Sequence, residues 1–235
     1  MASYLVTGVS RGVGRALAQR LIADGHQVHG LVRSASDAAG LDLAGLVELE
    51  LTALPAFPTA LADWLATVDR LDGLVHCAGI VRAGLLADAD PSHLTEQFAV
   101  NVVAAAELTR LWLPALRAAA GTVVFVNSGS GLNARPPLSA YGVSKFALRG
   151  YAEALRQEEP GVRVSTIYPG RIATDMQRQV RAAESGDYDE DAYLRPDTVA
   201  GVIASVLSLP ADATVTDLTL RPVSQPGPSS PDTHR

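Results

Sequence analysis

The sequence predicts an α/β fold: a doubly wound, seven-stranded parallel sheet with helices on both faces, in a single domain. Three observations predict it. Short β-rich runs alternate with longer helical runs, as in parallel sheets whose crossover helices cover both faces. A glycine-rich segment joins the first run to the first helix. The 235 residues, 48% of them hydrophobic, suffice for one buried core. Together these features are typical of a Rossmann-type fold.

The strands and helices are assigned in chain order. The candidate strands are YLVTG, QVHGLV, LVELEL, GLVHCAG, TVVFVN, RVSTIYP and TVTDLTL. The candidate helices are residues 12–24, 57–68, 91–118, 140–157 and 196–207, most of them marked by Gly or Pro. Residues 34–45 leave only about the dozen residues that a crossover requires, so any helix there is expected to be short or irregular.

Two segments stand apart from this alternation. Residues 177–194 are charged, and acidic in their second half, and they are either a lid over a pocket or a solvated surface helix and loop. Residues 223–235 are rich in Pro and Ser and are predicted to be a disordered tail. The folded domain is therefore predicted to span residues 1–222.

Composition and charge disfavour several classes of function. A net charge of −6 argues against a nucleic-acid surface. The lone cysteine, Cys77, cannot form an internal disulfide, and no His or Cys is placed to make a metal site. No apolar run is expected to approach the length needed to span a bilayer, and the start of the chain does not resemble a secretion signal. We therefore expect a cytoplasmic protein that binds neither nucleic acid, membrane nor metal.

The segment TGVSRGVGRALAQRL follows the first strand and opens the first helix, where backbone N–H groups could meet a pyrophosphate. Gly8 suits a tight turn, Gly12 lets a phosphate approach the backbone, and Gly14 allows close packing of helix on strand. The three glycines alone could also form an ordinary strand-to-helix turn. Their position at the first strand of an alternating chain favours a dinucleotide site.

The end of the second strand favours NADP(H) over NAD(H). An acidic residue at this place usually accepts the ribose hydroxyls of NAD, whereas here the strand ends in Val32 and Arg33. Arg33 could pair with a 2′-phosphate, and Arg11 in the glycine loop could supply a second cation. The alternative is that both arginines are solvated surface charges.

Tyr141 and Lys145 lie four residues apart in a predicted helix, so their side chains share one face. A Tyr is a poor acid–base group at neutral pH, but a neighbouring ammonium and a positively charged nicotinamide would both lower its pKa. Ser128 ends a strand at the carboxyl edge of the sheet, where ligands bind in this architecture. It could hold a carbonyl oxygen while Tyr141 supplies a proton and a nicotinamide supplies hydride.

With these motifs the chain resembles the short-chain dehydrogenase/reductase family, closely from Tyr4 to about Asp175 and more loosely beyond. The family pattern T-G-x-x-x-G-x-G is matched from Thr7 to Gly14, and Y-x-x-x-K by Tyr141 and Lys145. The resemblance assigns the active-site Ser to Ser128, thirteen residues before the Tyr, with Ser130 as the alternative. It implies catalytic roles for Asn101, Ser128, Tyr141 and Lys145. It also implies cofactor contacts by Gly8, Ser10, Arg11, Gly12, Val13, Gly14, Arg33, Leu51, Ala78, Gly79, Tyr141, Lys145, Pro169, Gly170, Ile172 and Thr174.

The sequence also departs from the family pattern. The N-N-A-G motif reads HCAG, so His76 and Cys77 replace two asparagines; we expect both to pack and one hydrogen-bond network to be weakened. The C-terminal sequence lacks the usual glycine-rich ending, which favours a homodimer, built on the helices of Asn101 and Tyr141, over a tetramer. The substrate loops are residues 80–90, 131–138 and 177–194, in which Arg82 and Arg135 either meet an anionic group or face water.

The sequence thus supports an NADP(H)-dependent oxidoreductase that interconverts a small carbonyl compound and its alcohol. The alternative is a non-catalytic NADP-binding protein that senses redox state. Such a protein need not keep all four polar residues of the active site, whereas this chain keeps them.

Overall fold

Seven strands form one sheet in the computed structural model, which describes residues 1–223. The strands are β1 (Ser3–Thr7), β2 (Gln27–Val32), β3 (Gly45–Glu48), β4 (Gly73–His76), β5 (Thr122–Val126), β6 (Arg163–Pro169) and β7 (Asp217–Leu220). All neighbours are parallel, in the order β3-β2-β1-β4-β5-β6-β7. The strand order changes direction between β1 and β4, so a crevice opens at their carboxyl ends, where Thr7 is in register with His76.

Eight helices cover the two faces of this sheet within the described residues. They are α1 (Gly12–Ala23), α2 (Phe57–Ala60), α3 (Ala62–Thr67), α4 (Pro91–Phe98), α5 (Ala104–Ala119), α6 (Ser139–Glu158), α7 (Asp175–Ala183) and α8 (Pro196–Leu207). The start of α4 is set by Pro91 and by the Asp90 carboxylate, which accepts a hydrogen bond from the Ser92 N–H at 2.8 Å. A five-residue π-helical turn, Ala99–Val103, joins α4 to α5.

The core consists of two layers because alternate strand residues point to opposite faces. Leu5 faces the layer that contains α5 and α6, where Trp112 and Leu116 are almost fully buried. Its neighbour Val6 faces the layer that contains α1 and α8, with Leu17 and Ile203. The predicted doubly wound, single-domain α/β fold is confirmed.

Several predicted boundaries differ from the structure. The predicted helix 57–68 is divided into α2 and α3, and residues 34–45 contain only a short 3₁₀ turn, Ala35–Ala38. The third strand ends at Glu48, earlier than predicted; Glu50 then accepts hydrogen bonds from the Thr52 N–H and hydroxyl in a turn. Helix α7 overlaps the segment for which either a lid or a surface helix and loop was expected. The predicted tail lies outside the described residues except for Val223, which is exposed.

The continuous helical run Pro91–Ala119 is long and apolar enough to cross a membrane by length and composition. The expectation that no run reaches bilayer length is therefore wrong. Half of its most apolar window is buried within the fold, and Leu108, Trp112 and Leu116 pack on the sheet. A core helix passes the same test, so this run is weak support for a membrane span.

Candidate active site

The glycine loop between β1 and α1 has the geometry that the sequence predicted. Gly8 and Gly12 adopt left-handed conformations, with φ of 72° and 58°, which favour glycine. A Cβ on Gly14 would lie 2.3 Å from the carbonyl oxygen of Gly8, so only glycine lets α1 pack this closely. Of the other two predicted contacts in the loop, Val13 is buried in the core and Ser10 remains partly exposed.

This loop fits a pyrophosphate. Helix α1 begins at Gly12 without a side-chain cap, so its first N–H groups are left for a ligand. A Cβ on Gly12 would meet only the methyl group of Thr174, at 3.4 Å, which leaves open space for a phosphate on this side. Arg11, predicted as a second cation for a 2′-phosphate, forms an exposed ion pair with Asp175 at 3.3 Å.

Thr7 connects the glycine loop to the segment after β4. Its hydroxyl oxygen accepts hydrogen bonds from the N–H groups of Cys77, at 3.1 Å, and Ala78, at 3.0 Å. Because these donors belong to the backbone, this connection does not depend on the two asparagines that the chain lacks. The predicted nucleotide contacts Ala78 and Gly79 are thereby held at the crevice between β1 and β4.

Arg33 directly follows β2, and its side chain is exposed. Among residues 1–223 it forms no ion pair. The Glu48 carboxylate lies near this place, where it accepts a hydrogen bond of 2.5 Å from the Ala35 N–H. Leu51, predicted to contact the adenine, is partly buried and packs against the core with α5 and α6.

The four predicted catalytic residues come from three elements that meet at the carboxyl edge of the sheet. Tyr141 and Lys145 lie one turn apart on α6, Ser128 follows β5, and Asn101 lies in the π-helical turn. Tyr141, Lys145 and Asn101 are 8%, 4% and 2% exposed, so the site is largely shielded from water. The Ser128 side chain lies close enough to the Tyr141 phenol to lower its pKa, which favours Ser128 over Ser130.

The ammonium group of Lys145 has N–H donors that are not used within the described part of the protein. Its ammonium donates to the Val126 carbonyl at 3.1 Å and lies beside Gly79, at 3.8 Å from where a Cβ of that residue would be. Among the described residues this is its one hydrogen bond, although an ammonium has three donors. The remaining donors fit the ribose hydroxyls of a nucleotide.

The Asn101 side chain ties its helix to the loop after β4 and to α6. Its amide accepts from the Ile80 N–H at 2.9 Å and donates to the Ile80 carbonyl and to the Ser144 hydroxyl, both at 3.0 Å. Ser144 in turn donates to the Tyr141 carbonyl at 2.7 Å. Asn101 therefore positions α6 relative to the crevice through its side chain, which agrees with a structural role beside the predicted catalytic one.

The acid–base properties of the pair differ from the expectation in one respect. Within the protein itself, burial raises the pKa of Tyr141 to about 12, an increase that the Ser128 hydroxyl partly opposes. Burial also lowers the pKa of Lys145 to about 8. The sequence analysis expected Lys145 and a bound nicotinamide to lower the pKa of the phenol, whereas in the protein alone burial raises it. Tyr141 is consequently a neutral phenol at neutral pH, ready to donate a proton.

Asn127 is a site residue that the sequence analysis missed. Its buried amide accepts a hydrogen bond from the Ser128 N–H at 2.8 Å and donates one to the Lys145 carbonyl at 3.1 Å. It thus fixes the distance between the end of β5 and the middle of α6. A polar residue at the end of an otherwise apolar strand was the only signal in the sequence.

We expect Asn127→Ala to lower both kcat and stability, because it leaves the Ser128 N–H and the Lys145 carbonyl unpaired at a cost of about 1–3 kcal/mol. Steady-state kinetics and thermal unfolding measure the two effects. Ser165→Ala is the control, since the Ser165 hydroxyl is also fully buried but has no hydrogen-bond partner among the described residues. Equal kcat in Asn127→Ala and wild type would contradict a positioning role.

His76 packs, as predicted. Its ring stacks on Phe125, with centroids 5.0 Å apart, and its Nε2 lies 2.9 Å from the Thr109 hydroxyl. That hydroxyl already donates to the Ala105 carbonyl, so Nε2 carries the proton and donates to it. Burial lowers the pKa of His76 to about 3, so the ring is neutral. Cys77 stays a thiol, because burial raises its pKa to about 12.

A cavity of about 490 Å³ lies in front of Tyr141 and Ser128. The predicted nicotinamide contacts Pro169, Gly170, Ile172 and Thr174 line one side of it. From α7, Val180 and Met176 pack on Tyr141 and Val81 and cover the site. Of residues 177–194, Gln177, Val180 and Glu184 line the cavity. Leu194 is held to the segment after β6 by backbone hydrogen bonds with Arg171 and Ala173.

The family model described as short chain dehydrogenase matches residues 3–185. The chain belongs to the short-chain dehydrogenase family. It is 32% identical to an NADPH-dependent 3-dehydrocapnine reductase of Ornithobacterium rhinotracheale, over 81% of this chain and 72% of that protein. It is 31% identical to a benzil reductase of Bacillus subtilis, over 88% and 93%. An alcohol dehydrogenase of the archaeon Thermococcus sibiricus has the same fold, with a TM-score of 0.85, 23% identity and 96% and 98% coverage.

Membership of this family makes the protein an oxidoreductase of the carbonyl/alcohol type that binds a nicotinamide dinucleotide. The glycine loop and the site around Tyr141 lie on either side of the crevice. Within residues 1–223 the structure has no cluster of three or more His, Cys, Asp or Glu side chains that could hold a metal ion.

Proposed function

We propose that this protein is an NADPH-dependent reductase of a small carbonyl compound. The observation that carries the proposal is the cluster formed by Ser128 and the buried Tyr141 and Lys145. Ser128 and Tyr141 line a cavity of about 490 Å³ beside the nucleotide crevice. A bound nicotinamide dinucleotide supplies or accepts the hydride. The homodimeric state and the preference for NADP(H) are further parts of the proposal.

The protein residues perform the proton transfer and hold the substrate. Ser128 donates a hydrogen bond to the carbonyl oxygen, which fixes it next to the Tyr141 hydroxyl. Tyr141 passes its proton to that oxygen as negative charge develops there. Lys145 stabilises the resulting phenolate, because its ammonium lies over the same face of α6, 5.8 Å from the centre of the phenol ring.

The protonation state of Tyr141 determines how the rate in each direction depends on pH. Because burial raises the pKa of Tyr141 to about 12, the neutral phenol required for reduction predominates at neutral pH. Alcohol oxidation requires the phenolate, whose population grows as the pH rises toward that pKa.

The test of this function is a screen of NADPH consumption with aldehydes, ketones, quinones and oxo esters, next to a nucleotide titration. We expect nucleotide binding and reduction of at least one carbonyl class. Nucleotide binding without turnover of any carbonyl would instead support the redox-sensing alternative.

The preference for NADP(H) rests on Arg33, exposed directly after β2 and free of ion pairs among the described residues. Arg11 is not needed for this proposal, since Asp175 already pairs with it. The similar reductase of Ornithobacterium rhinotracheale is NADPH-dependent, which supports the same preference here.

We expect Arg33→Asp to weaken NADPH binding by about tenfold or more and NADH binding far less, because charge-assisted hydrogen bonds to a phosphate contribute roughly 1.5–3 kcal/mol. Isothermal titration with both nucleotides measures the difference. Arg70→Asp is the matched control, because Arg70 is also exposed but precedes β4 at the opposite edge of the sheet. Equal weakening of both nucleotides by Arg33→Asp would remove Arg33 from the 2′-phosphate site.

The proposed dimer uses exposed apolar residues on the helices of Asn101 and Tyr141. Val103, Val143 and Phe146 are 42%, 42% and 41% exposed. Val143 and Phe146 are three residues apart on α6 and therefore lie on one face. Such a face is suited to pair with its own copy across a twofold axis.

We expect Phe146→Glu to shift the protein from dimer to monomer, because it places a charge in the centre of this apolar face. Light scattering coupled to size-exclusion chromatography measures the mass. Leu132→Glu, on the loop after β5 and 38% exposed, is the control and should remain dimeric. A monomeric wild-type protein at micromolar concentration would reject the interface.

A further inference from the structure

The cavity in front of Tyr141 has an excess of positive charge. Arg135, Arg171 and Arg221 line it, together with one carboxylate, Glu184, among the described residues. Glu184 receives two hydrogen bonds of 2.8 Å from Arg171 and a third, of 2.6 Å, from Arg181. The negative charge of Glu184 is thus compensated by Arg171 and Arg181. This excess is local, since the chain as a whole has a net charge of −6.

The other two arginines at the cavity lack an acidic partner. Within residues 1–223, neither Arg135 nor Arg221 forms an ion pair. When the side-chain amide of Asn133 is turned so that its oxygen faces Arg135, this oxygen accepts a hydrogen bond of 3.0 Å from the guanidinium. The partner of Arg135 is thus a neutral group. By contrast, Arg82 in the loop after β4 forms a bidentate pair with Glu96 at 2.9 Å. Arg82 therefore differs from Arg135 and Arg221 in having its charge neutralised by a carboxylate.

Arg221 lies next to the catalytic serine. A Cβ on Gly129 would be 2.5 Å from its Nη1 and 3.1 Å from its Nη2, so the guanidinium occupies the space that a side chain at 129 would fill. The backbone before Arg221 is fixed, because the Leu220 carbonyl accepts a hydrogen bond of 2.8 Å from the Gly170 N–H. Gly129 follows Ser128 directly, about 3.8 Å away between Cα atoms. An anion on Arg221 would thus lie only a few bonds from a carbonyl on Ser128.

Gln177 supplies a second, independent polar group. Its side chain lines the cavity, is only 8% exposed, and its Nε2 has no hydrogen-bond partner among the described residues. A buried amide donor without a partner costs free energy unless a ligand satisfies it. Its placement in the cavity indicates a ligand oxygen as the acceptor.

We propose that the substrate is a short oxo acid whose carboxylate is bound by Arg221, with Gln177 as an additional donor to the substrate. This inference rests on the proposed reductase function. The planar guanidinium matches a carboxylate with two parallel hydrogen bonds, which gives both affinity and orientation. The carbonyl carbon gains hydride from the nicotinamide dinucleotide, and the oxygen gains the Tyr141 proton. The product is a hydroxy acid, and the dinucleotide is oxidised.

The experiment compares acids with their neutral esters. NADPH-dependent reduction of acetoacetate, 4-oxopentanoate and 2-oxo-4-phenylbutanoate is measured next to that of their methyl esters. We expect kcat/KM to be at least about tenfold higher for an acid than for its ester. Arg221→Ala should abolish this preference by lowering kcat/KM for the acid alone. Arg82→Ala, which removes a guanidinium already paired with Glu96, should preserve it.

Binding provides a readout without turnover. Isothermal titration of the NADP-saturated protein with 4-oxopentanoate should show binding that Arg221→Ala weakens by at least about tenfold and Arg82→Ala leaves unchanged. Esters reduced better than acids, or equal binding by Arg221→Ala and wild type, would overturn the oxo-acid proposal while leaving the reductase function intact. Failure to reduce any carbonyl compound, with 4-oxopentanoate still bound through Arg221, would overturn the reductase function alone.

Discussion

Tyr141→Phe is expected to lower carbonyl reduction by about 100-fold or more, because proton transfer by a positioned group typically contributes that much. In the proposed mechanism the phenol hydroxyl is the proton donor, and its pKa, raised by burial to about 12, leaves it protonated at neutral pH. The ring itself, packed against Val81 and Val180, is retained in this variant. Nucleotide binding should therefore be nearly unchanged. Steady-state NADPH oxidation and isothermal titration measure the two quantities.

Tyr151→Phe is the matched control for this variant. Tyr151 lies on the same helix, is partly buried, and its hydroxyl makes one long hydrogen bond, of 3.3 Å, to the Ala106 carbonyl. Loss of the Tyr151 hydroxyl should leave the rate of reduction close to that of wild type. Full activity of Tyr141→Phe would reject Tyr141 as the proton donor, whatever the control shows.

Gly14→Ala is expected to destabilise the protein by about 1–3 kcal/mol and to abolish tight nucleotide binding. The added Cβ would lie 2.3 Å from the oxygen and 2.8 Å from the carbon of the Gly8 carbonyl, and both are backbone atoms that cannot rotate away. The turn at Gly8 and the start of α1 would have to separate. Thermal unfolding measures the first effect, at roughly 2–4 °C of Tm per kcal/mol for a chain of this size. Titration with NADPH measures the second.

Gly150→Ala separates this clash from helix propensity. Gly150 is also helical, in α6, but a Cβ there would meet no atom within 4 Å. This variant should be more stable by about 0.5–1 kcal/mol, since alanine favours helix over glycine. If Gly14→Ala were as stable as wild type and bound NADPH as tightly, the close packing of α1 on β1 would not be required for stability or nucleotide binding.

The parts of the fold and site that the sequence predicted are those that local spacing determines. The strands follow from short apolar runs, the phosphate loop from the distances between Gly8, Gly12 and Gly14, and the shared face of Tyr141 and Lys145 from the helical period. The oxidoreductase class followed from these motifs in their order. NADP preference and the catalytic roles stay predictions until the variants are measured.

The parts that were missed depend on contacts between distant segments. Asn127 matters because its amide joins β5 to α6, and Arg221 because Gly129 leaves space for its guanidinium. Neither contact produces a recognisable spacing of residues in the sequence, because the partners are far apart along the chain. The raised pKa of Tyr141 in the protein alone was not predicted, because the sequence gives the nearby charge but not the depth of burial, which dominates. The helix α7 was uncertain because most of its residues are charged or polar, and only Met176 and Val180 pack on the site cluster.

The hydroxyl of Thr7 accepts hydrogen bonds from the backbone N–H groups of Cys77 and Ala78. The side chain of Cys77 therefore takes no part in the connection between the glycine loop and the segment after β4. Cys77 is the sole cysteine of the chain. Cys77→Ser would therefore give a thiol-free background in which the exposed Arg178 of α7 can be exchanged for a cysteine and labelled with a fluorophore. Emission from that label would report whether the surroundings of α7 change when nucleotide binds.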